Sequence, residues 1–399
     1  MRRSAVFPQM PLPSRKSATV GSLQHGYLHF ARAFLLALGF LFHAAWLCTD
    51  GNDVFKSGMD VIHGFRMEGF FVIAGLLSAH SLRRVPPSRF LLRRTERLGI
   101  PLLFFSLIFG MFGSLIRHLD CARSIASARI HFGDQLCPRL DFAGHLWFLR
   151  ILLLFALALS LLHFVWRRID EHVVRLRTSP FLLLLALVSM RFLALHWTRV
   201  LPPEILQFPS IVDDLERAIR YAPWLITGYF LFHQDEIMDT LVNSVAFNVG
   251  NVAAFLLLAP RLDQPGIGHY VSQLWQGAYI VSTCGVLFWS AKRVFSNPSA
   301  CVRSLSEASY TMYLLHWPIM ALLFVLPFFR AVPKFLLFAD LVVVAAILSY
   351  GIHLLLVRRL HLWAWLFNGV PMPAGQPWAQ LRPLAAFLKS PIPRCPPDS

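Results

Sequence analysis

Charge is what this chain has least of. Asp, Glu, Lys and Arg together make up 15% of its 399 residues, too few to cover a soluble protein of this length. Acidic groups are scarcest, 21 against 37 Lys and Arg. In a soluble chain that imbalance would suggest nucleic acid; in one this apolar it reads as loop charge that sets orientation, and no nucleic-acid partner is expected. Cysteine is sparse too: the 6 residues include no Cys-x-x-Cys pair, so no metal centre is expected. Cys121 and Cys137 share one loop, where a disulfide and two free thiols both stay open. No segment repeats, and no two spans are broken by Gly or Pro at matching places, which argues against a transporter built from inverted halves. Residues 1–27 carry Arg2, Arg3, Arg15 and Lys16 but no apolar core ahead of a small-residue cleavage site, so no removable leader is expected.

What the chain has in excess is apolar surface. Hydrophobic residues are 56% and aromatics 14%, with a mean hydropathy of +0.56. Runs long enough to cross about 30 Å of hydrocarbon fall near 28–48, 61–80, 98–116, 145–166, 180–197, 221–233, 242–259, 271–290, 309–329 and 335–357. They predict an all-α polytopic membrane protein with about ten transmembrane helices. With the amino terminus inside, the inner segments hold 22 Lys and Arg, the outer ones 11 and the spans 4, which puts both termini in the cytoplasm. The sixth run, flanked by Pro223 and His233, is the weakest. Three regions follow: a basic cytoplasmic segment at 1–27, a transmembrane domain at 28–357, and a cytoplasmic Pro/Trp-rich tail at 358–399 that lies along the inner membrane surface or is partly disordered. The bilayer is the first expected partner, and the oligomeric state stays open.

Ionisable groups within such spans are costly and mark function. The first run carries Arg32 and His43. Eleven residues are three turns plus about 20°, or about 16 Å of rise, so the two share a face. The plainer alternative is that Arg32 snorkels to the headgroups while His43 is interfacial. The second run opens His63-Gly-Phe-Arg66-Met-Glu68; His63 and Arg66 share a face, and Glu68 lies well round the helix. A short first loop makes these helices antiparallel neighbours, which sets His43 level with His63 and Arg66. The fourth run begins His145-Leu-Trp147 at the same depth, and the ninth carries Tyr310, Tyr313 and His316 ahead of Pro318, a kinked polar seam. Trp147 and Trp317 suit either a sugar ring or an aromatic belt. On the inner side, Arg83, Arg84, Arg89, Arg93, Arg94 and Arg97 crowd into 81–97. They read as an ordinary inner loop or as a phosphate-binding collar at the level of Arg32. A basic inner mouth, a polar stripe and a histidine-rich outer end suit a long ligand with a phosphorylated head, a shape coenzyme A has.

Four patches carry a family resemblance: Arg32 with His43 as Arg-x10-His; Gly69-Phe-Phe-Val-Ile-Ala-Gly75; Arg94-x-x-Arg97 with Pro101; and Ser309-Tyr-Thr-Met-Tyr313-Leu-Leu-His316-Trp-Pro318. In this order the chain resembles the acyltransferase-3 superfamily of bacterial inner-membrane O-acyltransferases. Ala74 stands where the family pattern has serine. The stretches His63 to Met67 and His145 to Leu149 are most similar to a branch for which the resemblance implies succinylation of periplasmic glucans. It implies acyl-coenzyme A, succinyl or acetyl, as donor substrate with no tightly bound cofactor, a periplasmic glucan or other glycan as acceptor, and an inner-membrane location. Arg93, Arg94 and Arg97, with Arg32, would hold the donor. His43 would act as general base, His63 or Arg66 would steady the oxyanion, and Glu68 would orient a histidine. His145, Trp147, Tyr313 and His316 would support the site or bind substrate. A covalent acyl-histidine relay fits equally. Two other readings remain: O-acetylation of lipopolysaccharide, capsule or a small molecule, and transport without acyl transfer.

Overall fold

The computed structural model describes residues 26–49, 53–109, 144–163, 209–262, 267–294, 300–326 and 332–371. Of these 92% are helical, with no strand among the described residues, as the all-α expectation requires. In order they are α1 (Gly26–Cys48), α2 (Asp53–Leu82), α3 (Pro87–Arg94), α4 (100–109), α5 (Trp147–Leu161), α6 (Pro209–Leu231), α7 (Asp235–Asn243), α8 (Val245–Leu262), α9 (Ile267–Val294), α10 (Ala300–Val325), α11 (Lys334–Ile352) and α12 (His361–Asn368). π-helical turns at Thr95–Gly99 and His353–Val357 follow α3 and α11.

The bundle is built around its first two helices. α1 packs on α2, α9, α10 and α11, and α2 packs also on α6 and α9. α1 is rich in Leu, Ala and Phe and holds no proline, so nothing breaks it before Cys48, where the Thr49 hydroxyl donates to the Trp46 carbonyl at 2.8 Å. Large apolar side chains such as Leu103, Leu107, Leu161, Phe247, Leu257 and Ile347 project outward, the surface a bilayer demands. Phe30–Cys48, Val54–Leu82 and Lys334–Val357 are long and apolar enough to cross a membrane, and α7 with α8 makes a fourth span, bent by 67°, if counted together.

The tightest crossing is between α2 and α6. A Cβ on Gly75 would meet the Leu225 carbonyl oxygen and the Tyr229 nitrogen, and one on Gly228 would meet the Val72 carbonyl. Backbone lies on backbone here, as small residues allow between membrane helices.

Several expected boundaries move. The sixth span was expected at 221–233, but α6 starts at Pro209 and carries Pro223 inside it. Its first turns look like a loop because Asp213, Asp214, Glu216, Arg217 and Arg220 dilute the hydropathy. Those charges answer one another: Arg150 forks onto Asp214 at 2.7 and 2.9 Å, and Arg217 adds a contact at 3.4 Å. The arginine-rich loop at 81–97 is largely helix, started by Pro87 in the first helical position, where its missing N–H costs nothing. The acidic loop near 234–241 is α7. The first part of the tail is helical and packs on the bundle: in α12 Phe367 lies 4.8 Å from Phe105, and Gly369 takes a left-handed φ of 57° against the backbone of Glu96 and Arg97. The span at 180–197, the pair Cys121 and Cys137, residues 1–25 and the tail beyond 371 lie outside the described residues.

Candidate functional site

The sequence Ser309 to Pro318 explains itself once α10 is in place. A proline at 318 has no N–H to give the carbonyl four residues back, so the Leu314 oxygen is left open within the helix. His145 fills it, its Nε2 donating to that oxygen at 3.2 Å. The Tyr313 hydroxyl donates back to the His145 carbonyl at 2.8 Å, so residue 145 is clipped to α10 twice. One turn lower, the Tyr310 hydroxyl donates to the Arg97 carbonyl at 3.1 Å. Thr311, fully buried, donates to Asn368 Oδ1 at 3.1 Å and pairs with His353 Nδ1 at 2.9 Å. Tyr310, Thr311 and Tyr313 thus key α10 to its neighbours, which fixes the direction of His316.

His316 is 1% exposed. Its Nδ1 lies 2.6 Å from the Tyr313 carbonyl. A carbonyl only accepts, so Nδ1 carries the hydrogen and, in the neutral ring, Nε2 carries the lone pair. That Nε2 is buried with no hydrogen-bond partner. The ring centre is 5.1 Å from His43, 4.8 Å from Phe40 and 6.1 Å from His145, and His43 lies 4.9 Å from Trp317. His43 and His145, expected at one depth together with His63, instead gather round His316, from α1, the turn before α5 and α10, while His63 stands apart.

Arg66 enters from α2. It is 9% exposed, its guanidinium carbon is 4.5 Å from the centre of the Phe42 ring, and its Nε is buried without a partner. Gly39 lies between this arginine and His316: a Cβ there would be 3.3 Å from Arg66 Nη1 and 3.6 Å from His316 Nε2. Sequence reasoning passed over Gly39, although the signal was present. It stands seven residues after Arg32 and four before His43, on the same helical face as both.

Other expected members stand further off. His63 is exposed and stacks on Phe42, 5.5 Å between centres, with the ring shared between it and Arg66. Glu68 is 3% exposed and acts on Arg66 as well as on Tyr221, Tyr279 and Cys284, the last three on the α6 and α9 side of α2. Trp147 belongs to a packed column: it stacks on Tyr221 at 5.5 Å, Tyr221 stacks on Phe71 at 4.7 Å, and Arg217 lies 5.2 Å from the Trp147 ring. That packing gives Trp147 a structural place apart from the histidines.

The opposite end of the stripe is cationic. Arg32, whose Nε is buried without a partner, lies near Arg97 and Tyr310. Arg94 donates to the Ser78 hydroxyl at 3.3 Å and rests against Phe90. Burial first, then the neighbouring Arg97 and Arg32, pull its guanidinium down to about 10. Arg93 and Arg97 are exposed. Like charges crowded at one mouth are poised for an anion. Among the described residues no group of His, Cys, Asp and Glu is arranged to hold a metal.

The described helices thus set arginines at one end of a buried stripe and imidazoles at the other. Residues 25–358 match the family model described as an acyltransferase domain, and the chain belongs to the acyltransferase-3 family. Among curated proteins it is similar to glucans biosynthesis protein C of Salmonella paratyphi B, 25% identical over 381 residues that cover 86% of this chain and 94% of the relative. It is also similar to the proteins of that name from Salmonella schwarzengrund and Salmonella paratyphi A, each 26% identical over 383 residues with the same coverage. No solved structure matches.

Proposed function

We propose that this protein is an acyl-coenzyme A-dependent O-acyltransferase of the bacterial inner membrane that esterifies a sugar hydroxyl of an envelope glycan with a succinyl or acetyl group. Glucan is the acceptor that the relatives' name suggests. The observation that supports this reading most is the pairing of buried, unsatisfied donors and acceptors at the two ends of one stripe: Arg32 Nε at the mouth, Arg66 Nε and His316 Nε2 at the histidines. Buried polar atoms are ordinarily paired, and such exceptions call for a partner, a ligand or a water.

In this reading the phosphates of the donor rest on Arg32, Arg94 and Arg97, with Arg93 at the rim, and the thioester reaches along α1. An imidazole of the His43 and His316 pair takes the proton of the acceptor hydroxyl. The hydroxyl oxygen bonds to the acyl carbon, the carbon–sulfur bond breaks, and the leaving thiolate takes the proton from the imidazole. Arg66 faces the oxygen on which charge gathers. His145 and Tyr313 hold α10 in register, and His63 keeps Phe42 against Arg66.

The test is purified protein with succinyl- or acetyl-coenzyme A and a glucose oligosaccharide, read by thiol release and by mass spectrometry of the sugar. Ester formation is expected, and thiol release without ester would refute the reading. Arg94→Ala is expected to raise KM for the donor about tenfold with little change in kcat, because the interaction lost is with a phosphate group remote from the reaction. Since the Arg94 cation persists below about 10, donor affinity should be full below that pH and fall as pH rises through it, and Arg94→Ala should lack that step in a binding titration.

A further inference from the structure

Glycine at 39 lets two polar groups of other helices close onto α1, tighter than a side chain there would allow. The two atoms nearest its missing side chain are a guanidinium nitrogen and an imidazole nitrogen, from different helices, and no apolar atom comes closer. Arg66 is a donor at every nitrogen, whereas His316 Nε2, with Nδ1 committed to the Tyr313 carbonyl, is an acceptor. A donor and an acceptor facing one point match two oxygens of opposite need: a carbonyl that wants a hydrogen bond and a hydroxyl that must give one up. The unsatisfied Nε2 of His316 and Nε of Arg66 are separate signs that something polar belongs beside them.

We propose that the polar pair of Arg66 and His316 beside Gly39 is where the acyl carbonyl and the acceptor hydroxyl meet, with Arg66 Nη1 holding the carbonyl oxygen and His316 Nε2, rather than His43, taking the hydroxyl proton. This rests on the acyl-transfer reading and assigns its reacting atoms. As the oxygen–carbon bond forms, the proton passes to Nε2, and Nδ1–H stays on the Tyr313 carbonyl, so the imidazolium is steadied by a backbone dipole. When the carbon–sulfur bond breaks, Nε2 returns the proton to the sulfur and the ring is neutral again. His43, its ring centre 5.1 Å from His316, is then a positioning residue.

The experiment compares His316→Ala, His316→Gln and Gly39→Ala with the unaltered protein. The probes are succinyl-coenzyme A and a glucose oligosaccharide for turnover and desulfo-coenzyme A for donor binding. His316→Ala and His316→Gln are expected to lower kcat about 100-fold while donor affinity stays within about twofold. Added imidazole should restore part of the rate to His316→Ala, whose cavity admits it, and none to His316→Gln. Gly39→Ala should lower kcat by about tenfold or more at unchanged donor affinity, because its methyl group, 3.3 Å from Arg66 Nη1, pushes the guanidinium out of line. Near-normal turnover by His316→Gln, the same loss in donor affinity as in kcat, or a fully active Gly39→Ala would overturn the assignment. Active unaltered protein with active His316 variants would remove the assignment alone. Unaltered protein that makes no ester from the thioester would remove the acyl-transfer reading and the assignment with it.

Discussion

Arg66→Met is expected to lose about 10³-fold in acyl transfer while melting in detergent no lower than the unaltered protein. The two halves of that result come from one fact. A guanidinium 9% exposed, held against a phenyl ring and with its Nε unpaired, is costly to bury and is poorly compensated in the resting state. Replacing a buried charge by an apolar side chain of similar length is often neutral or stabilising. An interaction realised only as the carbonyl oxygen gathers charge is lost from kcat and not from folding. If Arg66 served the fold, the order would reverse: melting would drop and turnover per folded molecule would hold.

Gly228→Val is expected to yield no monodisperse folded protein, with Gly228→Ala already badly compromised. The added carbon falls on the Val72 carbonyl, a backbone atom that cannot swing aside as a side chain would. The helices must separate, and with them the column of Phe71, Tyr221 and Trp147 that holds α2, α5 and α6 together. Overpacking of this kind costs about 3 kcal/mol or more, a large share of the stability of any domain. Gly250→Ala is the control, since nothing lies within 4 Å of a Cβ there. Size-exclusion profiles of the two proteins, expressed alike, check the contrast; a well-behaved Gly228→Val would mean that the α2 and α6 crossing is looser than described.

How far the sequence could be read depends on whether the information is local. The stripe of Arg32 and His43 is a matter of spacing on one helix, and it is legible; Gly39 was equally so, had small residues been weighed alongside charged ones. Short loops and antiparallel order set His43 level with His145, but that the third imidazole beside them is His316 and not His63 is tertiary. Pro318 announced a kink, but the identity of the group that would fill the vacated Leu314 carbonyl depends on His145, 169 positions away, and no pattern within α10 contains it. Helix boundaries failed where charge diluted hydropathy, as at the start of α6, because the pairing of Arg150 with Asp214 that makes those charges tolerable is tertiary. The docking of α12 was hidden for a similar reason. His361 to Asn368 looks like any aromatic surface segment until Phe367 is set against Phe105 and Gly369 against Arg97. Glu68 sits on a helix face that spacing predicts correctly, yet its neighbours Tyr221 and Tyr279 belong to helices whose placement spacing does not give.

The account rests on a passage from the arginine mouth to the imidazoles, so the most direct measurement is one of sidedness. Protein reconstituted in a single orientation in sealed vesicles would receive succinyl-coenzyme A only on the arginine side and a glucose oligosaccharide only on the other. The account predicts succinylated sugar recovered from the side that never met the donor, with free coenzyme A on the side that did. Ester formed only when donor and sugar share a compartment would contradict it.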